Sequence, residues 1–161
     1  MITTENLKAL LTLLQFEEDK NVYSKHFPDG DFYLKVDFFK QELIYPSALT
    51  VHERHTCSFN SPENFVVFEC VHRLLAKGYK PEHIELEPKW KLGHGASGGR
   101  ADILVCNQDG APILIIECKT AGREFDRAWK DTRNNGGQIL TYADRERTVK
   151  FVCLYTSFFD N

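Results

Sequence analysis

The chain has 161 residues, the size of one domain with a short extension. Hydrophobic residues make up 42% and charged residues 27%, ordinary globular usage that excludes a disordered chain or a fibre. The formal net charge of -3 does not mark a nucleic-acid binder, although net charge describes a whole surface and not one cleft.

The longest apolar run, Ile113-Leu114-Ile115-Ile116, is strand-sized and far short of the roughly 18–20 residues of a membrane helix. The N-terminus carries Glu5 and an amphipathic pattern rather than a basic segment followed by an apolar block, so no signal peptide is expected and the expected location is the cytoplasm. The five cysteines are odd in number and lack C-x-x-C spacing, which suits free buried thiols in a reducing compartment. His52-x-x-His55-x-Cys57 lacks a partner cluster and reads as a polar loop or strand edge rather than a zinc site.

Leu7, Leu10, Leu11 and Leu14 recur at helical steps and predict a helix over Thr4 to Phe16, capped by Thr3 or Thr4. Glu17-Glu18-Asp19 breaks the pattern. Two aromatic runs around Pro28-Asp29-Gly30 predict a β-hairpin, and Glu42 to Tyr45, closed by Pro46, predicts a third strand. Residues 1–58 thus form a small helix and hairpin extension, with nothing in it that suggests chemistry. Ser61-Pro62-Glu63 opens a second helix, which runs to Lys77 with Val66, Val67, Cys70, Val71, Leu74 and Leu75 facing the core and stops at Gly78. Residues 83–92 predict a strand with a break at Pro88, and Gly93 to Gly99 a flexible loop. That loop lacks the Gly-Lys-Ser/Thr ending of a P-loop, so no nucleotide is expected here. Strands follow over Arg100–Cys106 and Pro112–Lys119, the second covered on both faces. Helices over Glu124–Thr132 and Gly136–Arg145 and a strand over Val149–Tyr155 complete the order.

Three polar residues stand where core strands should be apolar. Asp102 lies inside Ala101-Asp102-Ile103-Leu104-Val105, and Glu117 and Lys119 end the most hydrophobic strand. A strand's period of two points Glu117 and Lys119 to one face and Cys118 to the other, and a short hairpin brings Asp102 alongside. Two buried carboxylates need a positive partner. Hard oxygen ligands select Mg²⁺ or Mn²⁺, and two carboxylates, the Cys118 backbone carbonyl and a lysine are parts that can hydrolyse a phosphodiester. A strand-end ion pair is the competing structural account.

Asp102 with Glu117-Cys118-Lys119 resembles the PD-(D/E)xK nuclease motif, and residues 61 to about 156 resemble the nuclease domain at the N-terminus of type I restriction endonuclease R subunits. The matching stretches are Ser61-Pro62-Glu63, Lys77-Gly78-Tyr79-Lys80-Pro81, Ile84-Glu85-Leu86-Glu87, Gly99-Arg100-Ala101-Asp102-Ile103 and Ile115-Ile116-Glu117-Cys118-Lys119-Thr120-Ala121-Gly122. Ala101 replaces the motif's proline. The resemblance implies a restriction-endonuclease-like α/β fold, an αβββαβ core with a mixed central sheet flanked by helices, occupying residues 59–161. It implies that Asp102, Glu117 and the Cys118 carbonyl hold metal, that Lys119 acts on the attacking water, and that Gln138 and Tyr142, matching a Q-x-x-x-Y motif, assist or bind DNA. The acid of the upstream helix is Glu63 or Glu69. Arg123, Arg127 and Lys130 recur on one helix face beside Trp129 and form a candidate phosphate-binding stripe, with a solvated surface helix as the alternative.

The layout is also similar to the N-terminus of large restriction-modification adenine-specific DNA methylases. The implied partners are double-stranded DNA and translocase, methyltransferase or specificity domains or subunits, with no membrane. Because the chain stops at Asp160-Asn161, soon after a core strand, a piece of a larger polypeptide is expected. The expected activity is metal-dependent DNA endonuclease of a restriction-modification system. The alternative is a catalytically silent nuclease-fold module that binds DNA or a partner subunit.

Overall fold

A computed structural model describes residues 1–88, 100–136, 140 and 148–159. Helix α1, Thr4–Leu13, begins at Thr3, whose backbone N–H donates to Asn6 Oδ1 at 2.8 Å. It stops short of the expected Phe16. Gln15 takes φ 64, the left-handed region, and the turn sends Phe16 into the core. Glu17–Asp19, expected only as a break, is a strand, β1, that pairs antiparallel with β2, Val22–Phe27. All three of its side chains are exposed, so it buries neither face and leaves no periodic signal. A 3-10 turn over Pro28–Gly30 joins β2 to β3, Phe32–Asp37, as the expected hairpin, and β4, Glu42–Ile44, completes a four-stranded antiparallel sheet in the order β1-β2-β3-β4.

Helix α2, Pro62–Ala76, matches its sequence signals closely. The Ser61 hydroxyl accepts the Glu63 N–H at 3.3 Å, and Gly78 closes the end at φ 89. Its environment differs from expectation. One core face was predicted, whereas Asn64 to His72 are all buried. The predicted face packs on the larger sheet, and Phe65, Phe68 and His72 meet aromatic rings of the first 60 residues: Phe59–Phe65 at 5.2 Å, Tyr45–Phe68 at 5.7 Å and Phe16–His72 at 5.7 Å between centroids. One continuous core therefore holds Leu7, Leu34, Val36 and Leu43 together with Val66, Ile103 and Ile116.

The second sheet has five strands in the order β5-β6-β7-β8-β9. These are β5, Thr50–Val51; β6, Ile84–Leu86; β7, Ile103–Cys106; β8, Pro112–Cys118; and β9, Phe151–Tyr155. The outer pairs, β5 with β6 and β8 with β9, are parallel, and the inner ones are antiparallel. This mixed sheet with its helices is a restriction-endonuclease-like α/β fold. Each strand is shorter than expected, and β5, contributed by the extension, was not foreseen. Ile103, Val105, Ile116 and Cys118 join the core under α2, while Ala101, Leu104, Cys106 and Ile115 form a second cluster on the other face, so β7 and the end of β8 are covered on both sides. Helix α3, Arg123–Asn135, extends the predicted Glu124–Thr132. Trp90, Leu92, the Gly93 to Gly99 loop and all of the predicted helix 136–145 except Gly136 and Leu140 lie outside the described residues. No helix among the described residues is long and apolar enough to cross a membrane. All five cysteines are free, four of them buried.

Candidate active site

The ends of β7 and β8 bring the predicted polar residues together. Ile103 pairs with Ile116, and one step further along Asp102 lies opposite Glu117. Asp102 Oδ2 accepts the Cys118 backbone N–H at 2.5 Å. The Lys119 backbone N–H donates to the Tyr155 carbonyl at 2.9 Å, which carries the β8–β9 pairing one residue past the strand. Cys118 points into the core under α2, so Glu117 and Lys119 take the opposite face, as the period of two requires.

Lys119 Nζ is the hub. It lies 2.9 Å from Glu117 Oε1 and 3.3 Å from Glu63 Oε2, and it donates to the Cys118 carbonyl at 2.8 Å. Glu63 reaches it from the first turn of α2. Glu69, the other acid considered on that helix, is engaged elsewhere: it accepts from Arg73 Nε at 2.5 Å and from the Tyr155 hydroxyl.

Burial dominates the electrostatics. Asp102 and Glu117 are 9% and 5% exposed. Desolvation pushes the Asp102 carboxyl well above the ordinary range, and the Glu117 charge pushes it further. Desolvation also raises Glu117, against the pull of Lys119. For Lys119 burial works downward, but the carboxylates of Glu117 and Asp102 outweigh it and hold the ammonium above its usual range. Glu117 Oε2 is buried without a hydrogen-bond partner. Two hard carboxylates, one with an unpartnered buried oxygen, and a backbone carbonyl fit a small divalent cation, which is commonly held by one or two carboxylates with water and substrate oxygens filling the rest. Among the described residues no three His, Cys, Asp or Glu side chains converge as a ligand group.

A cleft of about 550 Å³ opens beside the centre. Glu117, Lys119 and Leu154 form one wall, and Glu124, Arg127, Lys130 and Asp131 of α3 form the other. Arg127 and Lys130 therefore line the same cleft as Glu117 and Lys119. Arg123, exposed at the start of α3, is not among the lining residues, and Trp129 is half-exposed. Gln138 and Tyr142 lie outside the described residues.

Sequence reasoning missed one neighbour. Glu87, just beyond β6, donates its backbone N–H to the Asp102 carbonyl at 3.0 Å, and its carboxylate lies 3.3 Å from His55 Nε2. The available signal was the strand register: an acid one residue past Leu86 falls beside Asp102. His52 likewise meets Glu85 at 2.7 Å, so both histidines of the predicted polar segment pair with acids of the β6 region.

The family model described as type I restriction enzyme R protein N terminus matches residues 62–153, a span that holds Glu63, Asp102, Glu117 and Lys119. No curated protein matches the chain.

Proposed function

Because this chain belongs to the type I restriction enzyme R protein N-terminal family, we propose that it is the metal-dependent endonuclease domain of a restriction-modification protein, hydrolysing phosphodiester bonds of double-stranded DNA. The observation that carries the reading is the buried Asp102–Glu117 pair with Lys119 Nζ 2.9 Å from Glu117 and one Glu117 oxygen unpartnered. Asp102, Glu117 and the Cys118 carbonyl would hold Mg²⁺ or Mn²⁺, with Glu63 alongside. The bound ion would polarise a phosphoryl oxygen and lower the pKa of water. Lys119, held protonated by its acidic neighbours, orients the attacking water and offsets charge on the phosphorane-like transition state rather than taking a proton. Arg127 and Lys130 on the far wall bind backbone phosphates, and Gln138 and Tyr142 assist. DNA is the substrate, and translocase, methyltransferase or specificity domains act with this one.

The test is nicking of supercoiled plasmid in Mg²⁺ or Mn²⁺ by the wild-type chain, Lys119→Ala and Asp102→Ala. The reading expects wild-type nicking and a loss of at least about 100-fold in both variants. The second reading, a silent module that binds DNA or a partner subunit, draws support from the absence of a three-side-chain ligand group among the described residues. It expects no nicking and no rise in Tm with metal.

A further inference from the structure

Two strand registers lay three acids in a row. Leu86 pairs with Ile103 and Ile103 with Ile116. One residue further along, Glu87, Asp102 and Glu117 follow one another on neighbouring strands, about 5 Å apart from strand to strand. The 3.0 Å bond from the Glu87 N–H to the Asp102 carbonyl continues the ladder through that position. Glu87 is mostly buried, 16% exposed, and His55 holds its carboxylate from the 3-10 turn Arg54–Cys57.

The backbone adds an independent sign. Glu87 has φ 50. Left-handed backbone is unfavourable for a non-glycine residue. Two strands away, past Asp102, Glu117 is nine-tenths buried with Oε2 unpartnered.

We propose that Glu87 is a positioning residue of the metal centre: its charge strengthens the hold of Asp102 and Glu117 on a divalent cation, and His55 keeps that charge in place. The proposal rests on reading the centre as metal-binding. It gives residues before 58 a part in the site, and it asks of Glu87 no contact with the ion.

The experiment is a titration of Mn²⁺ into the full chain without DNA, following free Mn²⁺ by electron paramagnetic resonance, with Tm measured in EDTA. Glu87→Gln is expected to weaken Mn²⁺ binding about tenfold with little change in Tm. Glu87→Asn is expected to weaken it similarly while raising Tm, because asparagine tolerates the left-handed region better. His55→Gln should weaken binding in the same direction by less. A purely structural Glu87 gives the reverse pattern, a lower Tm at unchanged affinity. Equal affinity in wild type and Glu87→Gln overturns the proposal and leaves the metal centre standing; failure of the wild type to bind Mn²⁺ overturns both.

Discussion

At the scale of single residues, the site is built from groups that oppose folding. Asp102 and Glu117 are buried like charges, compensated by one ammonium. Asp102→Asn should therefore raise stability in EDTA by about 1 kcal/mol, or roughly 2–4 °C in Tm, while abolishing stabilisation by Mg²⁺ or Mn²⁺. The amide oxygen can still accept the Cys118 N–H. Thermal melts with and without metal check both halves of this expectation. His72 opposes acid in a similar way. Burial, aided by Lys25 and Arg73, lowers its pKa from 6.5 to about 4, and Lys25 Nζ lies 3.0 Å from its Nε2. Between pH 6.5 and 4 the unfolded chain takes up this proton and the folded chain does not, so stability falls as pH drops through that window and the loss is complete below about 4. His72→Gln keeps an acceptor for Lys25 and should flatten this part of the pH profile, as followed by urea midpoints at successive pH values.

At the scale of elements, Glu69 ties α2 to β9. It is 1% exposed, and its partners are Arg73 and the Tyr155 hydroxyl. Tyr155→Phe removes one of those partners and should cost about 1–3 kcal/mol in urea unfolding. The backbone carbonyl that accepts the Lys119 N–H is kept in this variant. The elements readable in the sequence were those whose signals are local. The Ser61 cap, the Gly78 stop and the apolar stripe of α2 sit on the chain itself, as do the aromatic runs of the hairpin. The strand β1 and the two-residue β5 were illegible because pairing, not side-chain pattern, creates them. The aromatic face of α2 lacked a visible partner until Phe16, Tyr45 and Phe59 of the first 60 residues supplied one. The same division holds at the site. Asp102, Glu117 and Lys119 stood out as charges among apolar strand residues. Glu87, at a strand end, looks like any solvent-facing acid, and only the register gives it neighbours.

At the scale of the whole molecule, α2 is shared. The four-stranded sheet and α1 cover one side of it and the five-stranded sheet the other, with a single core running through. The family match begins at residue 62, but the packing does not. A fragment of residues 59–161 loses Leu7, Leu11, Leu34, Val36 and Leu43 from that core along with the edge strand β5, and it should show no cooperative transition in calorimetry where the full chain shows one. The buried cysteines have a practical corollary for such work. Cys57, Cys70, Cys106 and Cys118 are shielded in the native chain, and burial raises the Cys57 and Cys118 thiols further away from the reactive thiolate. A colourless disulfide reagent added to the folded chain thus becomes a clock: after reaction of the half-exposed Cys153, its colour appears as fast as the molecule opens. Cys118, lodged between Glu117 and Lys119, makes that clock local: mapping when it is modified times the opening of the strand that carries the candidate chemistry.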